Sequence, residues 1–122
     1  MANDFKRFTV SSVNTSVGAS ASSVYTVPAG GGATALESIV IGITLANKTS
    51  AGVTASVFLD NFSGSNDVFI VKDATIPAGS SLEVMAGNKI VLQNDGTTGD
   101  VIRVSSGTAT AVDATVSVLE DV

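Results

Sequence analysis

Three stretches of this chain alternate apolar and polar residues with a period of two, and that period limits the fold more than any other feature. In "ESIVIGITLAN" (37–47), Ile39, Ile41, Ile43 and Leu45 share one side, with Val40, Gly42 and Thr44 on the other. In "GVTASVFLD" (52–60), Val53, Ala55, Val57 and Leu59 alternate with Thr54, Ser56 and Phe58. In "AVDATVSVLED" (111–121), Val112, Ala114, Val116 and Val118 alternate with Asp113, Thr115 and Ser117. Successive side chains on a strand point to opposite faces, so each stretch reads as a half-buried strand. Shorter candidates lie at 7–13, 23–27, 68–72, 81–85, 89–93 and 100–105, and no window of a dozen residues carries a helical stripe. Turn-rich clusters separate them: "AGGGA", "NKTSAG", "DNFSGSND", "PAGSS", "AGN", "NDGTTGD" and "SSGTA". The pattern predicts an all-β fold, a single antiparallel β-sandwich or jelly roll of about eight short strands.

The 122 residues suit one domain. Residues 23–122 are assigned to the sandwich and 1–22 to an N-terminal arm or edge segment. Within the latter, the stretch 10–23 is open to three readings: an extended arm, an edge strand or a loop. Its polarity suits an arm that orders against a neighbour.

Both prolines of the chain fall in one frame, Thr26-Val27-Pro28-Ala29-Gly30 and Thr75-Ile76-Pro77-Ala78-Gly79. Proline has no N–H to give a ladder, so it sits where a strand leaves its sheet. Gly30 and Gly79 are then expected to supply the positive φ of a type II turn or bulge. Each copy is followed by Leu-Glu (Leu36-Glu37, Leu82-Glu83), where the next strand starts.

Composition narrows the chemistry. The chain has no His and no Cys, which removes the commonest general base, the commonest metal ligands, thiol nucleophiles and disulfides. Nearly all the acidic residues lie in turns or at predicted strand ends, where Asp caps and turns backbone, and they suggest no glycosidase-like pair. "DNFSGSND" (60–67) and "NDGTTGD" (94–100) are oxygen-rich, yet neither has the spacing of a helix–loop–helix calcium site, and Asp95-Gly96 is first a hairpin signal. "AGGGA" (29–33) lacks the Lys-Ser/Thr of a phosphate loop. The expectation is a chain without catalytic role or cofactor.

A net charge of -5 and six dispersed cations argue against nucleic acid as partner. The longest apolar stretch, 35–46, is interrupted by Glu37, Ser38, Gly42 and Thr44 and is shorter than the ~20 residues of a membrane helix. No apolar run follows Lys6 and Arg7 as in a signal peptide, so the expectation is a soluble chain made in a cytoplasm. Charged residues make up 14%, against roughly 25% in ordinary globular domains. That deficit points to a surface that meets other protein.

The phrases "VYTVPAG", "ATIPAGSSLEV", "NKIVLQNDGTTGDVIRVSSG" and "ATVSVLE" resemble small structural proteins of tailed bacteriophages, especially marine phages and cyanophages. The likeness runs over residues 23–120 and is one of turns and apolar alternation. "QNDGTTGD" is longer than the tight "GD" turn of that pattern. The resemblance implies a virion structural protein: a capsid decoration (cement) protein, or an accessory of the neck, tail or baseplate. It implies the major capsid protein or other virion subunits as partners, a homo-oligomer, and the virion, assembled in the host cytoplasm, as location. Membrane and small-molecule substrate are not expected partners. Phe5, Phe8 and Val10 in the N-terminal segment and Phe62 in the polar loop 60–67 are the candidate contact residues. A third reading, a carbohydrate-binding or host-adhesion module, has Tyr25 as its one aromatic besides phenylalanine.

Overall fold

In the computed structural model, residues 3–30, 35–61, 67–85 and 89–121 are described. They form nine strands: β1 (Asn3–Val10), β2 (Ser22–Thr26), β3 (Leu36–Asn47), β4 (Val53–Asp60), β5 (Asp67–Ile76), β6 (Ser81–Glu83), β7 (Ile90–Asn94), β8 (Val101–Ser106) and β9 (Val112–Asp121). A single 3-10 turn, Gly18–Ser20, precedes β2. One sheet runs β1-β9-β3-β6, with β7 also on β3, and the other runs β2-β8-β4-β5. Every pairing is antiparallel.

The pairings are nested. β1 joins β9, β2 joins β8, β3 joins β6 and β7, and β4 joins β5. The chain is thus a long hairpin doubled at the β4–β5 turn, then rolled so that β9 meets β3 and β8 meets β4. This is the strand order of a jelly roll. Val40, Ile43, Leu45, Val116 and Val118 from one sheet face Val57, Ile102 and Val104 from the other in a fully buried core.

β9 keeps a single phase, with Val112, Ala114, Val116 and Val118 inward as its alternation predicts. β3 does not. Its register with β9 slips between Val40 and Gly42, leaving Ile41 as an extra, bulged residue. Before the bulge Leu36, Ser38 and Val40 face inward, and after it Ile43, Leu45 and Asn47 do. The expectation that Ile39, Ile41, Ile43 and Leu45 share a face is corrected accordingly. In β4, Phe58 is also buried, on the face opposite Val57, where its ring lies 5.4 Å from Phe69.

The N-terminal residues belong to the sandwich. Residues 3–10 pair with β9 without a gap, earlier than the expected strand at 7–13. Beyond them Val13 is completely buried and its N–H donates to Val112 O, while Asn14 O accepts from Ser106 N. The segment 11–21 therefore packs on its own chain.

The two Pro-Ala-Gly segments stand at two of the three places where the chain leaves the β2-β8-β4-β5 sheet for the other one, after β2 and after β5; the third exit follows β8. At each exit the residue before proline, Val27 or Ile76, is buried, and its carbonyl accepts from a buried asparagine of the opposite sheet. Asn94 Nδ2 donates to Val27 O at 2.8 Å, and Asn47 Nδ2 donates to Ile76 O at 2.9 Å. The second exit closes with Ser80 N donating to Pro77 O around Gly79 at φ 66°. The turn expected at Gly30 runs into residues 31–34, outside those described, so what the two copies are seen to share is the clamp. "NDGTTGD" does form a turn, with Asp95 N donating to Thr98 O, but the chain then crosses to the other sheet instead of continuing a hairpin.

Asn94→Ala and Asn47→Ala will each leave a buried carbonyl unpaired and lower stability by about 1–3 kcal/mol in urea denaturation. Gly99→Ala will cost at least as much, because its Cβ would stand 2.2 Å from Val27 O at the first clamp.

Candidate assembly interface

The position of β1 is set from inside. β9 continues its inward phase one step past Val118 to Glu120, whose side chain is 2% exposed. Two groups meet this carboxylate and a third backs one of them. Lys6 Nζ from β1 lies 2.9 Å from Oε1, an ion contact rather than an aligned hydrogen bond. Tyr25 OH from β2 donates to Oε2 at 2.6 Å. Having spent its proton there, the phenol accepts from Ser38 Oγ of β3 at 2.8 Å. Burial, then the bond to Glu120, pushes the Tyr25 phenol well above its ordinary range. The same carboxylate holds the Lys6 ammonium charged above its usual range. Phe8 packs on Tyr25 with ring centroids 4.7 Å apart, and Val10 rests on the core.

These contacts sort the side chains of β1. Lys6, Phe8 and Val10 face the molecule, while Phe5 stands out at 78% exposure, the highest of any large apolar side chain described. Of the three candidate contact residues that are described, Phe5 is the exposed one. Phe8 and Val10 are half-buried against the core, and Phe62 lies outside the described residues.

The four sheet edges differ. β5 carries register irregularities at two places, with Lys72 exposed and Asp73 at φ 50° held by Ser56 Oγ. β2 is five residues long with an irregularity between Ser23 and Tyr25. The edge opposite β1 is split into β6, three residues, and β7, five residues. Bulges, charges and shortness are the devices that keep an edge from adding a foreign strand. β1 has eight residues in one-to-one register with β9 and no irregularity. Among the described strands it is the edge that remains unblunted and has no second partner beside β9.

Other polar groups are committed to structure. Asp95 Oδ1 accepts from Thr97 N and Thr98 N, and these bonds hold its carboxyl below the usual range. Asp100 Oδ2 accepts from Gln93 N. Asp60 pairs with Arg103 at 2.9 Å and stands directly opposite Asp67. Lys48 bridges Asp113 at 2.9 Å and Ser12 Oγ at 2.7 Å, lowering the Asp113 carboxyl. Among the described residues there is no group of three or more acidic residues placed to hold a metal ion. No described helix is long and apolar enough to cross a membrane. A pocket of about 190 Å³ opens beside Val17, Phe69, Lys72 and Asp73. Its Ser56 hydroxyl is occupied by the Asp73 N–H.

The chain matches no family model, no curated protein and no solved structure.

Sequence reasoning passed over Glu120, although its phase with Val112 through Val118 marks it as inward-facing.

Tyr25→Phe will cost about 1.5–3 kcal/mol at neutral pH, the worth of a hydrogen bond to a charged group. Tyr25 and Lys6 have folded-state values raised above their unfolded ones. Their contribution is therefore complete below pH about 10 and is lost as pH rises through the folded values. Thermal melts from pH 8 to 11 should show that loss, with a shallower slope in Tyr25→Phe. Asp113 and Asp95 act oppositely: their depressed values give stability above the ordinary carboxyl range that disappears as pH falls through them. Melts of Asp113→Asn should depend less on pH below about 4 than those of the parent chain.

Proposed function

We propose that this chain is a structural protein of a tailed-phage virion, and that it decorates the head as a cement subunit. The observation that carries the reading is the β1 edge, which no described strand covers, with Phe5 exposed on it, set against three blunted edges. A lone soluble domain gains nothing from an unprotected eight-residue edge, whereas an assembly subunit uses one for strand addition. The low charge fraction is consistent with surfaces that pack on protein. The jelly roll is an architecture that recurs in viral capsid and lectin domains, which is analogy alone. The phrases that carry the phage resemblance fall on two of the sheet exits, on β7–β8 and on β9, the parts that define the roll.

A neck, tail or baseplate accessory would use the same edge in a ring, and differs from the decoration reading only in place and copy number. The adhesion reading loses support because Tyr25 is buried under Phe8 and bonded to Glu120, so it offers no face for a sugar to stack on.

Gold-labelled tags on Val122, imaged on intact particles, should spread evenly over the head, and heads lacking the protein should release DNA at lower temperature. Label confined to neck or tail would replace decoration with the accessory reading. Particles without label, with the tag shown accessible, would overturn the virion role.

A further inference from the structure

We infer that β1 pairs with β1 of a second copy of this chain, antiparallel and centred on Phe5, so that the β1-β9-β3 sheets of two molecules run on as one. The inference deepens the reading of β1 as an assembly edge by naming its partner, and it concerns the purified chain alone.

The register follows from the sequence of the strand. Two strands related by a two-fold axis place a residue opposite its own copy, with its neighbours paired crosswise. Only registers centred on a residue keep inward-facing side chains opposite inward-facing ones, as a continuous sheet requires. Centring on Asp4 sets two carboxylates face to face. Centring on Lys6 or on Arg7 sets two cations face to face, and like charges directly opposite destabilise a pair. Centring on Phe8 pairs five residues of β1, as centring on Phe5 does, but it matches Lys6 with Val10 and leaves no charge answered. Centring on Phe5 puts Phe5 against Phe5, Asp4 against Lys6 and Arg7 against Asn3, each twice.

That register answers three separate features of β1. Phe5, exposed at 78%, gains an aromatic cross-strand partner on the outer face. Asp4, exposed in the single chain, meets a cation. Lys6, whose side chain is still 44% exposed after contacting Glu120, has donors left for Asp4 of the partner copy. The alternating ladder of an edge strand leaves backbone N–H and C=O groups along β1 for the same partner.

The absence of native cysteine makes the register directly readable. Opposed residues of an antiparallel pair have Cα atoms about 4.5–5.5 Å apart, within the span of a disulfide. Phe5→Cys should therefore oxidise to a covalent dimer roughly tenfold or more faster than Thr9→Cys, whose copies are far apart in this register. Light scattering on the parent chain should give the mass of two chains, and Asp4→Lys, which sets cations against Lys6, should give one chain with unchanged circular dichroism. A single-chain mass for the parent, with Phe5→Cys no faster than Thr9→Cys, would overturn self-pairing. A dimer cross-linked faster through Arg7→Cys than through Phe5→Cys would overturn the register. Head labelling by a chain that is monomeric in solution would leave the decoration role standing and assign β1 to another virion subunit, so the two proposals fail separately.

Discussion

A buried carboxylate is the constraint on which the rest of this structure depends. Removing a charge from water costs several kcal/mol unless other groups replace the water. Glu120 meets that demand with one group from each of three other strands: Lys6 of β1, Tyr25 of β2 and, through the phenol, Ser38 of β3. β2 lies in the opposite sheet, so the cluster ties the two layers together at the margin where β1 and β2 run side by side. It also fixes register. Sliding β1 along β9 by two residues keeps its apolar face inward but carries Lys6 away from Glu120, which leaves the carboxylate buried without its cation. Apolar alternation fixes which face of β1 is buried, and the charge selects which of the in-phase registers is used.

The nested topology raises a second demand, at the crossings between layers. A strand that leaves its sheet abruptly has carbonyls inside the molecule and no ladder to receive them. Proline ends the strand, and the two asparagines supply the missing donors from the opposite sheet. Asn47 does this at the end of β3 and Asn94 at the end of β7, so each exit is fastened by the strand with which the next stretch of chain pairs. Gly99 belongs to the same device, since anything larger would displace Val27 O from Asn94. The short sequence echo at 26–30 and 75–79 thus reflects one mechanical problem solved in the same way at two exits from the same sheet.

Most of the architecture was legible because alternation and turn residues speak directly to strands. The inward face of β9 could be read as far as Val118, and the strand-stopping role of Pro28 and Pro77 follows from the missing N–H. What was not legible was phase across a bulge. "IVIGI" is apolar on both parities, so period alone cannot place the extra residue; Gly42, a small residue inside a strand, was the available sign. The N-terminal strand was masked by its mixture of charge and aromatic residues, "NDFKRF", because its inner face is completed by the Lys6–Glu120 contact rather than by an unbroken apolar row. The candidate contact residues were chosen by type and place in sequence. Phe5 and Phe8 are three apart, and an odd spacing on a strand sends them to opposite faces. That parity alone separates the core phenylalanine from the exposed one.

The same parity gives β1 two independent functions. Its inward set, Lys6, Phe8 and Val10, holds the strand on the sandwich through the Glu120 cluster, the Tyr25 ring and the core. Its outward set, Phe5, Arg7 and Thr9, is half-exposed or more and carries none of that load. An edge strand anchored only by its ladder would be the first element to fray. Anchored by a buried ion contact, it can present a straight, unbroken row of backbone groups without loosening. The burial of Glu120 and the openness of β1 are therefore linked: the internal charge supplies the rigidity that lets this edge stay free of the bulges that blunt β5 and β2.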